Sequence, residues 1–483
     1  MSTKVIISNS AALSSKYGAP GLASVQSAIS TLVAAGTAAG ITTQVVYVDL
    51  LSGGKAVTNP SDQKQNKDAI DSILLQEFDY VVLLGGPDII PHQDLTNPLP
   101  KDQDQSVPSD LPYACTAPYS TDISDFLKIS RVVTRLPDVN GASDASDFVT
   151  LIEETASMVQ TGVSTNGNVL GVSALVWQAS TDLSMSNILG VPSTARSSPT
   201  NGPHWTPSEL QSSLHFINCH GSPADPRFYG QSGSSYPVSH EAALVVGNLT
   251  PGMLAAAECC YGAELYDPFA LGIHKPMSNS YLESGCAGYM GSTNIAYGPA
   301  SGNGAADLIC QYFAIEFRSG RSVGAAGFEA RVAFIRGSKP MGPVDLKTIA
   351  QFLILGDASV ALQPIPAPAD TVVATAPVEV KSRRSTMRRS AAQVNRFTTY
   401  AKSPVESKVL VNEERPDAIE EAFVLISDMT FAVEGKTPLM KAKSADNYIK
   451  VQIWQDSTEP YSIRIQEVHV KGEVTSSRVV MSK

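Results

Sequence analysis

The sequence has few cysteines, few charged residues and no long apolar run. Six cysteines among 483 residues are too few for a disulfide scaffold, and the adjacent pair Cys259 and Cys260 is poorly placed to cross-link loops, so we expect reduced thiols. No stretch of about 18 apolar residues is free of polar interruption, which excludes a membrane-spanning helix. The apolar run at residues 5–7 is too short for a signal peptide. We therefore expect a cytoplasmic protein that contacts no membrane.

Charge is sparse and unevenly distributed. Hydrophobic residues make up 43% of the chain and charged residues 17%, which excludes global disorder. The net charge of −11 argues against direct binding of nucleic acid. Residues 1–369 hold 18 Lys and Arg against 31 Asp and Glu, a net of −13, whereas residues 370–483 hold 17 against 15, a net of +2. An acidic body of this kind attracts basic partners.

Short apolar strands alternate with segments of helical spacing over the first three-quarters of the chain. This order is typical of an α/β fold with a mostly parallel sheet, in which sites lie at the carboxyl ends of strands. We assign residues 1–365 to this fold, with 1–140 as a candidate separate α/β subdomain. Strands are predicted at 4–8, 43–48, 80–84, 127–134, 170–178, 214–218, 253–257, 287–290 and 352–355, and helices at 23–39, 65–77, 142–161, 305–318 and 322–336.

The composition changes beyond residue 363. Residues 366–402 are rich in proline and then basic, which is typical of a linker. Residues 403–483 show the alternation of strands and predict a small β-rich C-terminal domain. The linker carries four arginines close together: Arg383, Arg384, Arg388 and Arg389.

Two predicted strands each deliver a reactive side chain to a carboxyl end that is followed by glycine. The first strand ends in His220 and Gly221, and the second ends in Cys259 and Cys260, with glycine at 262. A thiol needs a nearby base to become a nucleophilic thiolate, and a histidine at a neighbouring strand end supplies one. Each feature alone is more often structural, since a cysteine in a strand is usually a small buried hydrophobe. Together they favour a Cys–His dyad.

Nothing in the sequence points to a metal or an organic cofactor. The other histidines show no metal-ligand spacing, and no phosphate-binding glycine loop is present. We therefore expect no cofactor.

The two strand ends resemble those of the caspase/gingipain/legumain clan of cysteine peptidases. Other segments are similar more narrowly to the gingipain family, in the family's order across residues 75–365. They are the strand and loop at 79–91, Ser109-Asp110-Leu111-Pro112-Tyr113, Thr134-Arg135-Leu136-Pro137, Gly291-Ser292-Thr293, and Leu355-Gly356-Asp357-Ala358-Ser359. The resemblance implies a caspase-like three-layer α/β sandwich with a mostly parallel sheet, followed here by the β-rich domain.

The resemblance also implies a cysteine endopeptidase acting on protein or peptide substrates. His220 would be the base, and the N–H groups of Gly221 and Cys260 would hold the oxyanion. Cys260 is the favoured nucleophile because Glu258-Cys259-Cys260 matches the clan's acidic, small, nucleophile triplet. Cys259 remains the alternative, since both spacings to the following glycine occur in the clan.

Specificity for Arg or Lys is expected from the Arg-type gingipains, which read the side chain with an acid. The resemblance places that acid in the loop after the strand preceding the histidine strand, where Asp182 lies; the alternative is that Asp182 caps a helix. Asp267, near the nucleophile, is a second candidate.

The arginines of the linker raise a question of regulation. An enzyme that cuts after arginine could cleave itself at Arg383, Arg384, Arg388 or Arg389, or the segment could occupy the active cleft and inhibit it; a solvated linker is the third interpretation. Two further functions stay open, namely a catalytically inactive caspase-fold interaction module, and an effector protease that a protein partner activates through the C-terminal domain.

Overall fold

The computed structural model describes residues 2–99, 102–300, 302–338 and 341–362, together with three C-terminal strands at 450–455, 462–468 and 474–482. The predicted linker at 366–402, with its four arginines, lies outside the described residues. No helix in the described residues has the length and apolarity needed to cross a bilayer.

Strands and helices alternate along most of the described chain. The strands are β1 Ser2–Ser8, β2 Ile41–Tyr47, β3 Tyr80–Leu84, β4 Gln93–Thr96, β5 Ser106–Ser109, β6 Val133–Leu136, β7 Val169–Ala174, β8 Arg196–Ser198, β9 Leu214–Asn218, β10 Arg227–Tyr229, β11 Val238–Glu241, β12 Leu254–Ala257, β13 Gly288–Ser292, β14 Tyr297–Pro299, β15 Phe352–Leu355, β16 Lys450–Gln455, β17 Ser462–Val468 and β18 Val474–Ser482. The helices are α1 Ser10–Ala38, α2 Gln63–Ile73, α3 Ser146–Thr161, α4 Gln178–Leu189, α5 Pro207–Leu210, α6 Ala242–Val245, α7 Pro268–Leu271, α8 Met277–Leu282, α9 Ala306–Arg318, α10 Val323–Gly337 and α11 Pro343–Gln351.

Ten strands of the described chain form one sheet in the order β2-β1-β3-β6-β15-β13-β12-β9-β7-β8. Strand direction reverses once, because β15 is antiparallel to β13 and parallel to β6. The predicted α/β class with a mostly parallel sheet is confirmed. The strands of the N-terminal segment lie on one side of β15, and the strands that carry the two predicted site motifs lie on the other.

The central strands are buried along their whole length. Every residue of β9 and of β12 is buried, as expected for strands covered by helices on both faces. The four residues of β12 are leucine and three alanines, and such small side chains allow close packing on both faces of the sheet.

Two segments of the gingipain resemblance meet as a buried ion pair. Arg135 on β6 binds Asp110 through two parallel hydrogen bonds of 2.8 and 2.6 Å, in the geometry that a guanidinium and a carboxylate prefer. A third segment supplies Asp357, which binds the buried Lys4 of β1 at 2.9 Å. The first pair therefore joins β6 to the segment after β5, and the second joins β1 to the segment after β15.

Two local predictions were wrong. A strand was predicted at 127–134, but the strand in this region is β6, which begins only at Val133. The preceding residues Ile123–Phe126 form a 3-10 turn, and Asp122 caps it by accepting a hydrogen bond from the Ser124 N–H. The first helix was predicted at 23–39, but α1 begins at Ser10, because the chain bends at Gly18 (φ 69°) and then continues as helix through Pro20.

The C-terminal strands form an antiparallel sheet with one strand of the large domain. The order is β14-β18-β17-β16, and Tyr297 of β14 lies opposite Ser482 of β18. These three strands lie within the range 403–483 for which strands were predicted, and a separate C-terminal domain over that range stays a prediction.

Candidate active site

The carboxyl ends of β9 and β12 converge. The two strands are parallel neighbours in which Ala257 pairs with Ile217, and the Glu258 N–H donates to the Ile217 carbonyl at 2.8 Å. His220 and Cys260 each lie three residues beyond that last pair. A Cβ added to Gly221 would stand 1.7 Å from the carbonyl oxygen of Cys260, so the two loops are in main-chain contact. The predicted histidine and cysteine segments are thus brought together.

The sulfur of Cys260 lies against the chain that follows β13. The Ala296 N–H donates to Cys260 Sγ at 3.3 Å, and Sγ lies 3.6 Å from the Ala296 carbonyl oxygen. An N–H donor at this sulfur suits a thiolate, because hydrogen bonds to a charged acceptor are the stronger ones. The side chain of Cys260 is 4% exposed.

Cys259 faces the interior instead. It is fully buried, and its Sγ lies 3.8 Å from the Ile217 carbonyl oxygen. Burial raises the pKa of this thiol well above its ordinary value, with Cys219 adding to the effect. Successive residues at the end of a strand point to opposite faces, so only one of the two thiols can be directed at the loop that carries His220.

His220 is held by an aromatic cage and by one amide. Its ring centroid is 4.4 Å from that of Trp177 and 5.1 Å from that of Tyr236. Its main chain pairs with Tyr229 through two 2.8 Å hydrogen bonds. Burial lowers the pKa of His220, and the hydrogen bond to Gln231 opposes this shift. At neutral pH the imidazole is therefore uncharged and able to accept a proton.

Gln231 sets the tautomer of that imidazole. The Gln231 Nε2 group donates to the Gly233 carbonyl at 3.0 Å, which turns its Oε1 toward His220. Oε1 lies 2.6 Å from His220 Nε2, so Nε2 carries the proton and Nδ1 is left as the basic atom. Gln231 was not predicted as a site residue. The only sequence feature that could have identified it is its position in the loop after His220.

A buried ion cluster fixes the loop that follows Cys260. Lys347 on α11 binds both Asp102 and, at 2.6 Å, Asp104. Asp104 then accepts from the Tyr261 hydroxyl at 2.8 Å and from the Ile295 N–H at 2.9 Å. Tyr261 adopts a positive φ of 56°, a strained conformation for a bulky residue that these bonds maintain.

Glu264 ties the two loops to each other. Its Oε2 accepts from the Ala224 N–H at 2.6 Å, and the two residues stand four positions after Cys260 and His220 respectively. Burial raises the pKa of Glu264 to about 7, although the Ala224 hydrogen bond opposes the shift. Sequence reasoning missed this residue as well.

The two predicted specificity acids have structural partners. Asp182 was predicted either in a loop or at a helix cap, but it lies inside α4, because this helix already begins at Gln178. Its Oδ1 accepts from Gln178 Nε2 at 2.7 Å and from the Ala195 N–H at 2.8 Å. Asp267 caps α7, where Oδ1 accepts from two N–H groups at 2.9 Å. In the described part of the chain, no cluster of three or more histidine, cysteine or acidic residues could hold a metal ion.

The fold is similar to that of solved structures of a cysteine proteinase. The crystal structure of the Arg-specific cysteine proteinase gingipain R matches with a TM-score of 0.51 and 11% identity, covering 100% of this chain and 91% of that one. A complex of the pro- and mature domains of RgpB from Porphyromonas gingivalis matches with a TM-score of 0.50 and 11% identity, covering 100% and 93%. The chain has the caspase-like fold of these proteins. Identity this low shows the fold and not the activity.

Other comparisons give no further relative. No protein-family model matches this sequence, and the comparison with curated proteins finds no match.

Proposed function

We propose that this protein is a cysteine endopeptidase with Cys260 as nucleophile and His220 as base. The observation that supports the proposal is the main-chain contact between Gly221 and Cys260, because these residues belong to the loops that carry His220 and the Cys260 thiol at neighbouring strand ends. The fold shared with gingipain R supports the same chemistry by analogy.

The proposed reaction proceeds in two steps. His220 takes the thiol proton, and the Cys260 sulfur attacks the peptide carbonyl to give a tetrahedral oxyanion held by main-chain N–H groups of Gly221 and Cys260. The imidazolium then gives its proton to the departing amine, which leaves a thioester on the sulfur. Water, deprotonated by the same imidazole, releases the acid and restores the thiol.

A labelling experiment tests the dyad. The purified chain is treated with a peptidyl arginine chloromethylketone, and the modified cysteine is identified by mass spectrometry. We expect labelling on Cys260 that is lost in Cys260→Ala, is at least 100-fold slower in His220→Ala and is retained in Cys259→Ala. Labelling of Cys259, or none at all, would contradict the proposal, and the latter result would favour an inactive interaction module of the same fold.

Cleavage after Arg or Lys is part of the proposal. The Arg specificity of gingipain R, which shares this fold, supports it. Digestion of a peptide library, read by mass spectrometry, reports the residue before each cut. The same experiment on the protein alone detects self-processing at Arg383, Arg384, Arg388 or Arg389, which should be absent in Cys260→Ala.

A restrained effector protease is a second candidate, favoured by the position of β18. Tyr297, which pairs with this strand, directly follows Ala296, the residue that contacts the Cys260 sulfur. Extended peptides commonly bind by adding to a free strand edge, and β18 occupies this one. Removal of residues 450–483 should then raise the rate of peptide hydrolysis at least tenfold, whereas an unchanged rate would remove this candidate.

A further inference from the structure

A cavity of about 320 Å³ opens beside the nucleophile loop, on the side away from the histidine strand. The segments that follow β3, β12 and β13 contribute to its walls. Such a volume lies at the lower end of the range for ligand sites in proteins. Pro91, Pro108 and Leu265 supply apolar surface, which suits the methylene stem of a long side chain.

Two carboxylates belong to the polar lining of this cavity. Glu264 and Asp94 line it, and none of the lining side chains in the described residues is lysine or arginine. Glu264 uses Oε2 for the Ala224 N–H, and its Oε1 has no hydrogen bond to the described residues. The raised pKa of Glu264 has burial as its main cause, and no cationic side chain among the described residues opposes that effect.

His92 adds a buried polar atom to the lining. This side chain is 9% exposed and lines the cavity, and Nε2 has no partner among the described residues. Its Nδ1 lies 2.9 Å from Asp110, whose carboxylate Arg135 holds in place. Burial opposes ionisation of Asp110, but Arg135 and then His92 hold its pKa below the usual range. The contact at Nδ1 fixes the orientation of the ring and leaves Nε2 available to a polar group of a ligand.

We propose that this cavity is a subsite for a cationic group, a guanidinium or ammonium, on a side chain of the peptide substrate, and that Glu264 is its anionic partner. The donors of such a group match Oε1 of Glu264 and the carboxylate of Asp94. The inference rests on the proposed function only for the identity of the occupant. It also assigns specificity to a residue other than Asp182 and Asp267.

Calorimetry on the full chain carrying Cys260→Ala tests the subsite without any hydrolysis. The probes are Nα-acetyl-arginine amide and its neutral isostere, Nα-acetyl-citrulline amide. We expect the arginine compound to bind at least tenfold more tightly. Glu264→Gln, which keeps an acceptor for Ala224, should reduce its affinity to that of the citrulline compound, whereas the matched control Asp267→Asn should change neither affinity.

Other outcomes overturn the subsite. Equal binding of the two probes, no binding of either, or equal losses in Glu264→Gln and Asp267→Asn would each do so. If Glu264→Gln fails to fold, Asp94→Asn is measured instead. We expect Asp94→Asn to bind the arginine compound about threefold more weakly, and an unchanged affinity would overturn the subsite. Selective arginine binding without peptide hydrolysis would remove only the proposed function, and hydrolysis without selective binding would remove only the subsite.

Discussion

Replacement of Gly221 by alanine is the most direct test of how the two loops meet. The new Cβ would lie 1.7 Å from the Cys260 carbonyl oxygen, while ordinary contact begins at 3.4 Å, so the loops must separate by about 1.7 Å. The opposing atom belongs to the main chain and cannot rotate away. A misplacement of about 1 Å can cost a reaction roughly 100-fold, and overpacking typically costs about 1–3 kcal/mol of stability.

We therefore expect Gly221→Ala to lower the rate of Cys260 alkylation by iodoacetamide at least 100-fold and the free energy of unfolding by about 2 kcal/mol. Alkylation is followed by mass spectrometry and unfolding by denaturant titration, so no substrate has to be known. Gly337→Ala is the matched control, since the nearest atom to its new Cβ is the Tyr312 hydroxyl oxygen at 3.6 Å. If Gly221→Ala behaved like this control, the loops would not be in contact and the proposed dyad would lose its geometric basis.

Two further substitutions probe the supports of the site. Glu264→Gln should flatten the pH dependence of stability. A carboxyl whose pKa is raised to about 7 contributes stability that is present below its ordinary pKa of 4.5 and lost as the pH rises through 7, up to about 3 kcal/mol in all. If the free energies of unfolding of the two proteins changed in parallel from pH 5 to 8, this reasoning would be refuted. Lys347→Met should lower the free energy of unfolding by about 3–5 kcal/mol, because it leaves two buried carboxylates unpaired. The control Lys64→Met removes an exposed ion pair and should change the free energy of unfolding little. Equal effects in the two variants would contradict the assigned role of the cluster.

The sequence predicted the central strands well and the surrounding elements less well. The strand at 214–218 and the strand at 352–355 have the predicted bounds, because each is a continuous buried run between polar residues. The helix at Gln178–Leu189 was missed, since its serines and threonines suggest a loop while its buried face is set by packing against α9.

The two residues of the proposed dyad could be singled out from the sequence because their signal is local. The residues that pack around them could not, because their contacts join distant parts of the chain. His220 and Cys260 each follow an apolar run and precede glycine, a pattern visible within ten residues. Lys347 and Asp104 are separated by 243 positions, and only the folded chain shows that they bind each other. The choice between Cys259 and Cys260 likewise needs the direction of each side chain, which the adjacent positions leave open.

The acidity of the first 369 residues is a poor guide to specificity, because most of the buried acids already have cationic partners. Asp110 pairs with Arg135, Asp357 with Lys4, and Asp102 with Lys347. An acid that is neutralised inside the protein exerts little attraction on a cation outside it, since the paired charges nearly cancel at a distance. The useful question is which buried acid lacks a cation and faces open space. Glu264 meets both conditions four positions after Cys260. Glu264→Gln should therefore abolish the preference for arginine over citrulline, whereas neutralising an acid that already has a cationic partner should leave that preference unchanged.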